Sequence, residues 1–230
     1  LNNDPGGQVM KLTKQKLYEL IKEAIYENEQ NALGQVQAMV DGNKWLKGTQ
    51  VNEGDLIPIS DKVLLYASED GMNHIKDRHQ DANAPGSLIY PNVNVRELIL
   101  AIMNTQPTST GGGMVKWEGI SSPSGPIGKM GLAAGTPQEV AGLQDYKMPG
   151  GRGEVVKVAP GERKETDEVT LVTSNLGSLK DGRTVLSLVT LYPGGMDVDG
   201  VQVPFDRGAF AAAGIYFVLP QGSPILKASQ

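Results

Sequence analysis

The apolar residues of this chain change period along its length, and that change restricts the folds open to it. In "LTKQKLYELIKEAIYENEQNAL" (12–33), Leu17, Leu20, Ile21, Ala24 and Ile25 recur at i, i+3, i+4, i+7 and i+8, the spacing of one helix face. Thr13 stands where an N-cap belongs, and Lys14, Lys16 and Lys22 lie off the stripe. "NVRELILAIMNT" (94–105) repeats the helical period through Val95, Leu98, Ile99 and Ile102. In the last third the period shortens. "GEVVKVA" (153–159), "DEVTLVTSNL" (167–176) and "RTVLSLVTLYPG" (183–194) are β-rich runs separated by turn signals such as "PGER" and "KDGR". "KVLLYAS" (62–68) reads as a buried strand, and the apolar segment 209–219 as a further one. The order predicts an α+β fold: an N-terminal amphipathic helix, then helices packed on an antiparallel β-sheet meander.

Two domains are expected, a tail and amphipathic helix over 1–50 and an α+β domain over 51–230. "WLKGTQVNEGDLIPIS" (45–60) reads as a turn-rich connector. Residues 106–153, crowded with Gly, Pro and Ser, read as a long irregular insertion, normally a functional or mobile loop. The simplest reading packs the first helix on its own domain with its lysines in water; the other leaves it to dock on a partner. "LNNDPGGQV" is polar and turn-rich, and "MKLTKQKL" from Met10 looks like a translation start, so residues 1–9 are set aside from fold reasoning. No basic region followed by an apolar core opens the chain, so no secretory signal is read.

Composition narrows the chemistry. With no cysteine among 230 residues, disulfides are excluded and a zinc site would need His and carboxylates alone. The formal charge of −5 has the wrong sign for nucleic-acid binding by bulk electrostatics, so any such contact would rest on a local basic site. "GAFAAAGIYFVLP" (208–220) is too short to span a bilayer, and no membrane contact is expected. The glycine run in "STGGGMVKW" (109–117) lacks the lysine and Ser/Thr of a phosphate cradle, no GxSxG elbow occurs, and no cofactor is implied. Asp197, Asp199 and Asp206 are better explained as an acidic turn between strands than as a calcium loop. Trp117 beside Lys116 could stack on a base, or could anchor a loop on the core.

The strongest chemical lead is "GMNHIKDRHQ" (71–80), which holds both histidines. On a helix His74 and Arg78 share a face, and Asp70 and Asp77 stand where either could orient the His74 ring. His79, five residues on, points about 140° away, so the rings converge only if the helix ends or bends before it. "QDANAPG" (80–86) supplies the breakers. A guanidinium beside an imidazole favours the neutral ring. Two imidazoles can divide acid and base duties, and a nearby cation can stabilise charge growing on a phosphoryl oxygen. That set can cleave RNA without metal, using the 2′-hydroxyl as internal nucleophile and leaving a cyclic phosphate. The opposing reading is a solvated charged face carrying two surface histidines.

"NHIKDRH", preceded by an apolar strand and trailed by "VRELILAI", resembles the HI-x-x-RH motif of phage-associated and toxin nucleases. These belong to the barnase, EndoU, colicin and RelE-like (BECR) fold group, and "LSLVTLYPG" (186–194) is similar to the group's last-strand motif. The resemblance spans roughly 62–194 and implies a metal-independent endoribonuclease acting on tRNA-like RNA. It implies His74 and His79 as acid and base, Arg78 as the phosphate cation, Thr190 as the late-strand hydroxyl with Tyr192 near it, and Lys157 as the completing lysine. "MKLTKQKLYELIKEAI" is similar to N-terminal helices of tailed-phage proteins, which implies a host-cytoplasmic or virion-associated setting. It also carries the rival expectation: a non-catalytic virion or head protein, contacting other phage structural proteins or itself through the first helix and the Gly/Pro-rich segment. A nuclease fold that keeps only binding is a third.

Overall fold

The computed structural model describes residues 13–82, 85–122, 124–148, 155–195, 197–198, 201–202 and 208–227. The chain divides into two compact units, Leu1–Glu53 and Gly54–Gln230.

In the first unit, helix α1 spans Lys14–Gly42, well past the expected end at residue 33. Thr13 caps it, accepting a hydrogen bond from the Lys16 N–H at 3.2 Å. Gly34 does not stop the helix, because Ala32, Val36 and Val40 continue the apolar spacing at four-residue steps and are buried. Gln37 ties the returning segment to the helix: its side-chain amide donates to the Thr49 carbonyl and accepts from the Val51 N–H. The first half differs. Leu17, Leu20 and Ile21 are 46, 45 and 49% exposed, so the stripe expected to pack on its own domain stands in solvent.

A short 3-10 turn, Glu53–Asp55, carries the chain from the first unit into the second. The strands of the second unit are β1 (Leu56–Ser60), β2 (Val63–Tyr66), β3 (Leu88–Ile89), β4 (Ser109–Gly111), β5 (Met114–Ser121), β6 (Gly128–Met130), β7 (Leu132–Ala134) and β8 (Gln144–Lys147). They continue with β9 (Val155–Pro160), β10 (Lys164–Thr166), β11 (Glu168–Ser178), β12 (Thr184–Pro193), β13 (Asp197–Val198), β14 (Val201–Gln202) and β15 (Ile215–Leu219). The helices are α2 (Glu69–Ile75), continued by a π-helical turn at Lys76–Gln80, then α3 (Val95–Met103), α4 (Gly208–Ala212) and α5 (Pro224–Lys227). The main sheet runs β1-β2-β12-β11-β5-β4; smaller sheets run β10-β6-β3, β7-β15-β9-β8 and β13-β14.

The α+β class stands, with several corrections. The expected connector 45–60 contains β1. The expected irregular insertion carries β4 to β8; Gly112 and Gly113, with φ of 58° and 78°, make the tight turn that pairs β4 with β5. Short strands between glycines lack the alternation that marks a longer one. The expected meander is broken: β11 and β12 pair antiparallel, but β9 lies in another sheet, parallel to β15, and β12 pairs parallel with β2. The apolar run 209–219 divides into α4 and β15.

The largest core packs α3 on the main sheet. Leu98, Ile99, Ile102 and Met103 meet Leu65, Leu171, Leu186, Leu188, Leu191 and Trp117. Trp117 is 4% exposed and its indole N–H donates to the Thr105 carbonyl, so it anchors the core and is not a stacking platform.

Candidate functional site

The site grows from the end of one strand pair. β2 stops where Tyr66 faces Ser187, whereas β12 runs on to Pro193. Helix α2 follows β2 directly, capped by Ser68, whose hydroxyl accepts from the Gly71 N–H at 3.1 Å. Gly71 faces β12, where a Cβ would make ordinary contact with the Leu188 carbonyl oxygen at 3.7 Å and a tighter one with the capping Ser68 hydroxyl at 3.3 Å.

Two irregularities then aim the side chains. The first is a bulge in β12. Leu188 pairs with Thr173 and Thr190 with Val172, so Val189 is an extra residue. Leu186, Leu188 and Leu191 all belong to the core, and the bulge turns Thr190 and Tyr192 to the opposite face. The second is the π-helical turn. Its i→i+5 repeat brings residues five apart back over one another. His74 and His79, opposed on a regular α-helix, come to a ring-centroid distance of 6.3 Å with planes at 79°. Ile75, between them in sequence, stays fully buried.

His79 is held from both sides. Its Nδ1 lies 3.2 Å from the Ser87 carbonyl oxygen, and a carbonyl can only accept, so Nδ1 carries the proton. In the neutral ring Nε2 is then the acceptor, and the Thr190 hydroxyl stands 3.4 Å from it. The Tyr192 ring lies beside it at a centroid distance of 6.0 Å. Burial pushes the Tyr192 phenol up to about 12, a hydrogen bond with Thr170 opposes the rise, and Glu118 adds to it. The phenol is therefore neutral at physiological pH. Thr170, directly across from Tyr192, donates to the Gly194 carbonyl at 2.7 Å. Arg78 shares the π-helical turn with His79 and is half-buried; Asp70 and Asp77 are exposed. Along the same turn Lys76, Asp77, Gln80, Asp81 and Pro91 line an open hollow of about 510 Å³.

Of the residues expected from sequence, His74, His79, Thr190 and Tyr192 come together, and Arg78 lies in the same π-helical turn as His79. Lys157 and Trp117 do not join them, while Lys116 stands in one cross-strand row with Val172 and Thr190. Lys157 sits on β9, in the four-stranded sheet, with its ammonium 2.7 Å from Asp145. Lys116 pairs with Glu118 at 3.6 Å, and Trp117 is in the core. Asp197 begins β13, while Asp199 and Asp206 lie outside the described residues. Among the described residues no group of three or more His, Cys, Asp or Glu is placed to hold a metal ion. No described helix is long and apolar enough to cross a membrane.

Two contributors escape sequence reasoning. Ser87 orients His79 through its backbone carbonyl, a group every residue carries, while its hydroxyl accepts from the Gly131 N–H at 3.2 Å. Arg163 reaches from the β9–β10 turn, Nε donating to the Val218 carbonyl at 3.3 Å and Nη1 to the Ala82 carbonyl at 3.5 Å. Burial pushes its guanidinium below the usual range, and Asp81 opposes that. It thus straps the segment that follows His79.

Neither family models, nor curated proteins, nor solved structures give any match to this chain.

Proposed function

We propose that this site performs metal-independent RNA cleavage by 2′-hydroxyl transesterification. The observation that carries the reading is His79, its tautomer set by the Ser87 carbonyl and its Nε2 turned to the Thr190 hydroxyl, with the His74 ring 6.3 Å away. In such a step one neutral imidazole removes the 2′-hydroxyl proton as that oxygen attacks phosphorus. The other, protonated, delivers a proton to the departing 5′-oxygen, leaving a 2′,3′-cyclic phosphate. Arg78 in the same turn supplies positive charge for the phosphoryl oxygens, and Thr190 a hydroxyl to hold one of them. The hollow beside the turn offers room for the flanking nucleotide. The negative total charge makes this local cation the more important.

The test is incubation of the chain with total tRNA in EDTA, beside His74→Ala and His79→Ala. Expected are fragments with cyclic-phosphate ends, lost in either variant by a factor of about 100 or more. A folded wild-type chain that leaves RNA intact would overturn the reading in favour of a non-catalytic structural or binding role. The exposed stripe on α1 is the observation that favours that second reading.

A further inference from the structure

We infer that α1 is a self-association surface, pairing antiparallel with α1 of a second copy across Leu17, Leu20, Ile21 and Ala24. This inference is independent of the proposed cleavage. The described side chains over 13–31 are exposed, including Leu17, Tyr18, Leu20, Ile21 and Tyr26. A solvated helical segment of that length is marginal in water without packing, and a contiguous apolar stripe on it marks a contact surface.

The charges say which partner covers it. Lys14, Lys16 and Lys22 fall in the first half of the segment with Glu19 the one acid among them, and Glu23, Glu27 and Glu29 fall in the second. That order opposes the helix dipole, which favours acids at the start and bases at the end. The first turn of α1 contains no acidic residue. The arrangement therefore does not serve the lone helix. None of Lys14, Lys16, Glu27 and Glu29 is in an ion pair among the described residues.

At about 100° per residue, Lys16 and Glu27 flank one edge of the stripe, while Lys14 borders the other edge and Glu29 lies about 80° beyond Ile21 on that side. A two-fold axis beside Ile21 and Lys22 brings Lys14 opposite Glu29 and Lys16 opposite Glu27, twice over by symmetry. The same axis sets Ile21 against its own copy and Leu20 against Ala24. A parallel pair would instead stack lysine on lysine and glutamate on glutamate. Second copies of this chain are thus the complementary occupant. Four apolar residues a side make less than the roughly 800 Å² per partner of a standard interface, so the dimer is weak and salt-sensitive.

Sedimentation velocity on the full chain at increasing concentration tests this. The wild type is expected to shift from monomer towards dimer in low salt and back in high salt. Lys14→Glu with Lys16→Glu should weaken the dimer about tenfold or more, and adding Glu27→Lys with Glu29→Lys should restore it. The chain has no cysteine, so Ile21→Cys and Lys14→Cys each introduce a single thiol. Ile21→Cys should cross-link two copies on oxidation and Lys14→Cys should not. Circular dichroism confirms that each variant keeps its helix. A wild type that stays monomeric at the highest concentration would overturn the proposal. So would a fourfold variant no tighter than the double, a Lys14→Cys cross-link, or a dimer that cross-links at neither position.

Discussion

At the scale of single residues the site depends on groups whose roles come from what surrounds them. Thr190 is one threonine among several in β-rich sequence, and only the bulge at Val189 turns it towards His79. Thr190→Val keeps the shape and removes the hydroxyl. It is expected to lower the RNA-cleavage rate about tenfold or more while Thr190→Ser keeps most of it, as single-turnover rates would show. Tyr192 gives a pH-dependent readout of stability. Its folded pKa of about 12 lies above the ordinary value of 10.0. The folded state therefore holds the phenolic proton longer than the unfolded state. The contribution to stability is complete below pH 10 and falls away between pH 10 and about 12, by roughly 2 kcal/mol. Urea unfolding at pH 9 and 11.5 should show the loss in wild type and its absence in Tyr192→Phe, measured against the remaining tyrosines common to both. The two histidines stood out because the chain has no others, whereas the roles of Arg78 and Thr190 came only with the motif resemblance, since no pattern in the sequence records the bulge. Ser87 was not legible, because a backbone carbonyl leaves no mark on a sequence.

At the scale of elements, long regular segments were readable and irregular ones were not. α3 carries an unbroken apolar face and an Asn94 cap whose side chain accepts from the Arg96 and Glu97 N–H groups, so sequence and structure agree within about two residues. The π-helical turn adds one residue to a helix, and no apolar repeat records such an insertion. Strands β4 to β8 were hidden by the glycines that allow them to pack. A Cβ on Gly128 would come within 2.1 Å of the Leu88 carbonyl oxygen, and one on Gly131 within 1.8 Å of the Gly86 oxygen. These contacts fix the segment 86–88, entering β3, that carries the Ser87 carbonyl. Gly131→Ala must move that segment. The expected cost is about 1–3 kcal/mol in thermal or urea unfolding, together with a weakened His79 orientation seen as reduced cleavage in protein that is still folded.

At the scale of the whole molecule, the two units divide the two proposed roles. His74, Arg78, His79, Thr190 and Tyr192 all fall within Gly54–Gln230, and the apolar stripe within Leu1–Glu53. A fragment of residues 54–230 is therefore expected to cleave RNA at near the full-chain rate while sedimenting as a monomer at every concentration. The pairing of distant strands was not legible in the sequence, since neither β2 nor β12 names its neighbour. That parallel pair joins Val63–Tyr66 to Thr184–Ser187, about 120 residues further along the chain. Contacts so remote in sequence form late, after both strands have been synthesised. A nascent chain emerging from the ribosome thus displays both histidines long before it has a Thr190 to face them. Assembly of the site is deferred until β12 has been made, so a chain halted before Thr184 would carry both histidines without their late-strand partner.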